Sequence, residues 1–187
     1  MSFLALDFET TGLDCIIGRV VEIGAVRFSL GKGGPIEEAT ISCLVDPGMP
    51  IPWQAKAIHG ISDEDVAGAP AFCDVANTLL ELARGTTIVG HNVRFDLSFL
   101  DAELLRSGLH RAPSETADTV VLSRRAFPGH SSYKLGTIAA ALGIDAGEAH
   151  RALDDARTCM SLYAACMARW AGEIYTPKPE TATARQR

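Results

Sequence analysis

Leu4-Ala5-Leu6-Asp7-Phe8-Glu9-Thr10-Thr11-Gly12 is an apolar run that carries two acids, Asp7 and Glu9, two residues apart. In a strand, residues i and i+2 point to the same face, so both carboxylates project together while Phe8 turns the other way. Two acids side by side in an apolar strand repel each other and lose hydration, a cost that a bound cation removes. The stretch reads as a strand carrying half of a metal site.

Outward from it, strand-like segments occupy about 2–8, 20–29 and 37–45, with a turn at Gly31-Lys32-Gly33-Gly34-Pro35. Their close succession predicts an antiparallel meander. A loop containing Pro47, Pro50 and Pro52 leads into short helical pieces at Gln54–Ile58 and Ser62–Val66, the second opened by Ser62 with Asp65 three residues on. A helix is expected over Phe72–Ala83, closed by Gly85, then a brief strand at Thr86–Gly90 and a helix at Asn92–Ser107. Further helical patterns cover about 117–125, 133–142 and 151–171. Strands first, then strand–helix alternation, predict an α/β fold with a mixed sheet flanked by helices. One domain is expected over 1–172, and residues 173–187, with Pro177 and Pro179, read as a disordered tail.

The helical wheel adds two acids to the pair. At about 100° per residue, Val93, Phe99 and Leu100 fall within about 60° of Asp96, which places Asp96 in the apolar face. Asp101 falls on the opposite side with Arg94 and Ser98. Asp155 shares a stripe with Cys159, Leu162 and Cys166, whereas Asp154 lines up with Thr158 and Ser161 toward solvent. His150 would stand about 140° from Asp155 on one continuous helix. It reaches the same site only from a loop before the helix, and Gly143 and Gly147 favour that loop.

The 187 residues are 47% hydrophobic and 21% charged, the composition of an ordinary globular domain. A formal charge of −6 argues against a broad basic surface for nucleic acid. Four of those negative charges belong to Asp7, Glu9, Asp96 and Asp155, and two divalent cations would neutralise them. The five cysteines are widely spaced with no Cys-x-x-Cys pair, which speaks against structural zinc or a disulfide framework. Met1-Ser2-Phe3-Leu4 lacks a basic region, and no apolar stretch approaches the ~20 residues that span a bilayer. A cytoplasmic protein with free thiols is expected.

Asp7-Phe8-Glu9-Thr10-Thr11-Gly12, His91-Asn92-Val93-Arg94-Phe95-Asp96 and His150-Arg151-Ala152-Leu153-Asp154-Asp155 resemble, in order and spacing, the three motifs of the DEDDh (DnaQ-like) 3′–5′ exonucleases. Val20-Val21-Glu22-Ile23-Gly24-Ala25 and Ile58-His59-Gly60-Ile61 resemble segments between those motifs. The resemblance implies a ribonuclease H-like sheet, an antiparallel meander followed by parallel strands. It makes Asp7, Glu9, Asp96 and Asp155 the ligands of two divalent cations, Mg²⁺ with Mn²⁺ as substitute, which suits hard oxygen donors. It makes His150 the general base, a task that fits an imidazole near neutral pH. By the same resemblance, Thr10, Gly12, Leu13, His59, Asn92 and Phe95 meet the terminal nucleotides, with Leu13 as an apolar wedge. Leu13 and Phe95 read equally well as core residues.

The expected activity is release of nucleoside 5′-monophosphates from single-stranded DNA 3′ ends, in proofreading or repair. The alternative is an exoribonuclease on short RNA or RNA 3′ ends, which needs a group that reads the 2′-OH. A noncatalytic nucleic-acid-binding module is a third reading, opposed by the presence of every site acid. A polymerase partner is open, but Ala171–Arg187 holds no Gln-led apolar clamp motif and leans toward a free-standing nuclease.

Overall fold

A computed structural model describes residues 1–172, so the disorder expected for 173–187 lies outside the described residues. The elements run β1 (Ser2–Thr10), β2 (Val20–Gly31), β3 (Gly34–Leu44), α1 (Trp53–His59), α2 (Asp63–Val66), α3 (Phe72–Ala83), β4 (Thr86–Gly90), α4 (Val93–Arg106), β5 (Thr116–Asp118), α5 (Thr119–Ala126), α6 (Leu135–Ala141) and α7 (Ala152–Trp170). The sheet order is β3-β2-β1-β4-β5. β1, β2 and β3 pair antiparallel, while β4 pairs parallel with both β1 and β5. This is the mixed α/β sheet expected from the sequence, with the meander first and the parallel strands after it.

Alternation along β1 sorts the layers. Leu4, Leu6 and Phe8 enter a core with Phe72 and Leu79 of α3 and with Leu97 and Leu100 of α4. Phe3 and Ala5 enter a second core with Cys159, Met160 and Tyr163 of α7. There the Phe3 ring lies 5.2 Å from Phe28 and 5.0 Å from Tyr163. Buried side chains of this size each contribute roughly 1.5–3 kcal/mol. Because strand residues alternate, Asp7 and Glu9 continue the row of Phe3 and Ala5 toward α7. The acids thus stand where two apolar layers run out at the end of β1.

One expectation is corrected here. The segment read as helical over 117–125 begins with a strand, Thr116–Asp118, paired with Ile88–Gly90 of β4. Three residues with a single apolar side chain carry no readable alternation, so tertiary pairing decides the conformation. The helix then starts at Thr119, with Asp118 accepting from the Val120 N–H at 2.9 Å. The Ser62–Asp65 arrangement forms as expected, the Asp65 carboxylate accepting from the Ser62 N–H at 2.8 Å.

A buried ion pair ties the β1–β2 loop to α4. Glu103 is 1% exposed and accepts from Arg19 Nε at 2.7 Å, Arg19 Nη2 at 3.1 Å and the Val20 N–H at 3.2 Å. Glu103→Ala leaves the guanidinium and an N–H without their partner. The expected loss is about 2–3 kcal/mol, read as a shift in the urea midpoint. A midpoint equal to wild type would show that water replaces the carboxylate without cost.

Candidate active site

The site gathers where β1 ends, α4 begins and α7 begins. Asp96, in the first turn of α4, is 4% exposed, and its Oδ1 accepts from the Phe8 N–H at 3.1 Å. That bond joins the second acid-bearing element to the first. Asn92 caps α4 in the left-handed region at φ 70°, and its N–H donates to Asp118 Oδ1 at 3.2 Å. Glu9 is buried and Asp7 half-buried.

His150 lies on the loop before α7, as its spacing from Asp155 predicts. α7 starts at Ala152, and His150 lies before it at φ 60°, an uncommon conformation for a non-glycine residue. Its N–H donates to Asp155 Oδ2 at 3.1 Å. This turn brings ligand-type atoms of Glu9, His150 and Asp155 within 4.8 Å of one another. Residues more than 140 positions apart in the chain thus form one cluster.

The companion reading of Asp154 needs correction. Asp154 is half-buried and accepts from the Glu148 N–H at 3.0 Å, while Thr158 beneath it is buried. It clasps the preceding loop to α7. The wheel separated Asp154 from Asp155 correctly, but solvent was the wrong destination.

The electrostatics are those of crowded acids. Burial raises the Asp7 pKa well above its ordinary value, and Asp96, Asp155, Glu9 and Glu22 raise it further. Burial, then the charges of Asp155, Glu22 and Asp96, push Glu9 up to about 8. Burial lifts Asp96 to about 7, against the opposing Phe8 hydrogen bond. Asp155 is raised as well, again chiefly by burial. Such a cluster holds protons unless cations replace them. Carboxylate oxygens in this number fit hard divalent cations, so Asp7, Glu9, Asp96 and Asp155 suit such a group.

Groups with raised folded pKa values stabilise the fold fully below the unfolded values, near 4, and that contribution is lost as pH rises through the folded values. Without divalent cations, the melting temperature is expected to fall between about pH 5 and pH 8. Added Mg²⁺ should flatten the slope. A slope unaffected by Mg²⁺ would contradict cation binding by these acids.

The expected substrate-side residues divide. Leu13 is 86% exposed, which removes the core reading for it. Phe95 is half-buried against the Phe99 ring at 5.0 Å. The Thr10 hydroxyl donates to the Gly12 carbonyl at 2.7 Å and so shapes the loop. Asn92 is exposed beside Asp96. His59 is buried, with Nδ1 accepting from the Ile61 N–H at 3.0 Å. Its other nitrogen therefore carries the hydrogen in the neutral ring, and that Nε2 has no hydrogen-bond partner among the described residues. Burial pulls the His59 pKa down, opposed by the Thr10 backbone and Glu22. His91 is structural, its ring lying 2.9 Å from Thr119 Oγ1 and 2.8 Å from the Tyr133 carbonyl.

Glu22 is a buried acid beside the candidate site to which the sequence pattern alone assigns no role. It pairs across the sheet from Glu9, is 3% exposed, and binds Arg151. An acid inside Val20-Val21-Glu22-Ile23 satisfies the test that singled out Asp7 and Glu9.

A mixed sheet with acids clustered at one end is the arrangement expected of a phosphodiester-cleaving enzyme, and the comparisons establish that class. The exonuclease family model matches residues 4–163, and the chain belongs to this family, as an enzyme of the DnaQ-like 3′–5′ exonuclease type. It is 36% identical over 173 residues to the DNA polymerase III subunit epsilon of Treponema pallidum, covering 91% of this chain and 79% of that one. Exonuclease X, solved with 5′ overhanging duplex DNA, superposes with a TM-score of 0.67 at 28% identity, over 93% of this chain and 94% of that one. Exonuclease I of E. coli, solved with a dA16 oligonucleotide, gives a TM-score of 0.74 at 21% identity. That match covers 90% of this chain but 41% of that one and supports the fold alone. No helix among the described residues is long and apolar enough to cross a membrane.

Proposed function

We propose that the chain removes nucleotides one at a time from single-stranded DNA 3′ ends, releasing nucleoside 5′-monophosphates. The observation that carries this reading is the convergence of Asp7, Glu9, Asp96 and Asp155 with His150 at one end of the sheet. The four acids would hold two divalent cations, Mg²⁺ in the first instance. When bound, these supply Lewis-acid stabilisation of the charge that develops on the phosphate and on the leaving 3′-oxygen. His150, exposed beside Glu9 and Asp155, takes a proton from the attacking water and returns it to solvent. Asp155 fixes the backbone of His150, and the Phe8–Asp96 hydrogen bond fixes Asp96 against the end of β1.

The Nε2–H of His59 donates to the terminal nucleotide, which satisfies a buried donor. Leu13 offers an apolar surface to the bases, and such contact is tolerant of sequence. DNA is favoured by the duplex with a 5′ overhang bound to the Exonuclease X relative. The likeness to a polymerase subunit supports a polymerase partner, and work on DNA ends is compatible with the expected cytoplasmic location.

The test uses 5′-labelled single-stranded DNA, its RNA equivalent and a mismatched primer–template, each with Mg²⁺ or EDTA. The expected result is a ladder shortening by single nucleotides from the 3′ end, on DNA, and only with Mg²⁺. Faster trimming of RNA would overturn the substrate; digestion in EDTA would overturn the chemistry.

A further inference from the structure

Glu22 and Arg151 stand beside the catalytic acids, yet the mechanism above uses neither. Glu22 Oε1 accepts from Arg151 Nη2 at 2.8 Å and from Nε at 3.2 Å, while its Oε2 accepts from the Ala152 N–H at 3.1 Å. Ala152 opens α7, where the first N–H groups lack intrahelical partners, so Glu22 satisfies one of them from the neighbouring strand. Immediately before this pair, the His150 N–H is held by Asp155. Residues 150, 151 and 152 are thus each pinned, the first by α7 itself and the next two by β2.

His150 has reason to need such pinning. Its backbone sits at φ 60°, a conformation that is strained for a non-glycine residue and persists only when its surroundings impose it. If the turn relaxed, the imidazole would swing away from Glu9 and Asp155. Glu22 is well placed to prevent this because it pairs with Glu9 in register, so one strand pair fixes both the acid and the turn. Both carboxylate oxygens of Glu22 are already engaged, which argues against its serving as a fifth cation ligand.

We infer that the Glu22–Arg151 pair is a positioning clamp that holds His150 in register with the catalytic acids. This rests on the site assignment of the preceding section. The pair touches neither substrate nor reacting atoms; it acts through the turn at 150–152. Glu22 keeps only 4% of its side chain exposed and Arg151 keeps 45%, so Arg151 can be altered without opening a cavity.

The experiment compares the full-length wild type with Glu22→Gln, Arg151→Lys, the double variant and Asp7→Asn. It measures kcat, KM for a 5′-labelled DNA oligonucleotide, half-activating Mg²⁺ concentration and melting temperature. Glu22→Gln should lower kcat about 10- to 100-fold, the usual scale for a group that orients a catalytic residue, with KM and Mg²⁺ demand unchanged. Arg151→Lys keeps the charge but loses the two-pronged contact, and should lower kcat about 10-fold. The double variant should be no worse than Glu22→Gln, because both changes break one device.

A wild-type kcat in folded Arg151→Lys would overturn the clamp, even if Glu22→Gln failed to fold. A raised Mg²⁺ demand with full kcat at saturation would overturn it too, by making Glu22 a ligand. Asp7→Asn separates the two levels. Activity surviving in that variant would refute the site assignment, whereas its loss beside wild-type clamp variants would refute the clamp alone.

Discussion

Asp7→Asn is expected to abolish Mg²⁺-dependent digestion, lowering kcat by about 10³-fold or more, while raising the melting temperature of the metal-free protein. The two effects have one origin. The Asp7 carboxyl is pushed far above its ordinary pKa by burial, then by Asp96, Asp155, Glu9 and Glu22. Near pH 7.5 the folded site must hold a proton on this group or bear its repulsion. Asparagine keeps the shape and removes that load, so the fold gains as cation binding is lost. Thermal melts in EDTA and single-turnover digestion with Mg²⁺ read the two sides separately. If activity and melting temperature fall together, the residue is structural and the assignment is wrong.

The clustering of the candidate site acids is legible in the sequence because each depends on a local period. Asp7 and Glu9 share a face by the two-residue repeat of a strand, and Asp96 lies among apolar neighbours by the repeat of a helix. His150 was legible from its five-residue distance to Asp155, which a continuous helix does not allow. Other features depend on contacts that no local period encodes. The three-residue β5 forms because β4 pairs with it. Asp154 faces a loop that folds back over α7, and the wheel cannot tell such a loop from water. The exposure of Leu13 follows from how the β1–β2 connection is held, with the Thr11 N–H donating to the Arg19 carbonyl at 2.9 Å. Glu22 was within reach of the same reasoning, but an acid that meets its partner 129 residues later reads as a lone charge in a strand.

Gly24 shows how closely fold and chemistry are joined, and its substitution carries the second large effect. It lies opposite Asp7 in the β1–β2 register, beneath the first turn of α7. A Cβ there would stand 2.0 Å from the carbonyl carbon and oxygen of Ala152 and 2.4 Å from the Leu153 nitrogen. These are backbone atoms, so no side-chain rotation relieves the clash and the helix start must move. Gly24→Ala should cost about 3 kcal/mol, which for a domain of this size lowers the melting temperature by roughly 6–12 °C. The same movement carries His150 and Asp155 away from Asp7 and Glu9. A displacement of about 1 Å at reacting groups costs on the order of 100-fold in rate, so activity should fall well before the protein unfolds. Gly136→Ala is the control: it lies inside α6 with nothing within 4 Å of the added carbon. Alanine there should be neutral or stabilising by about 0.5–1 kcal/mol, with full activity. A Gly24→Ala protein that melts and digests DNA like wild type would mean that α7 does not rest on β2 at Gly24. The alignment of His150 with the strand acids would then have to come from elsewhere.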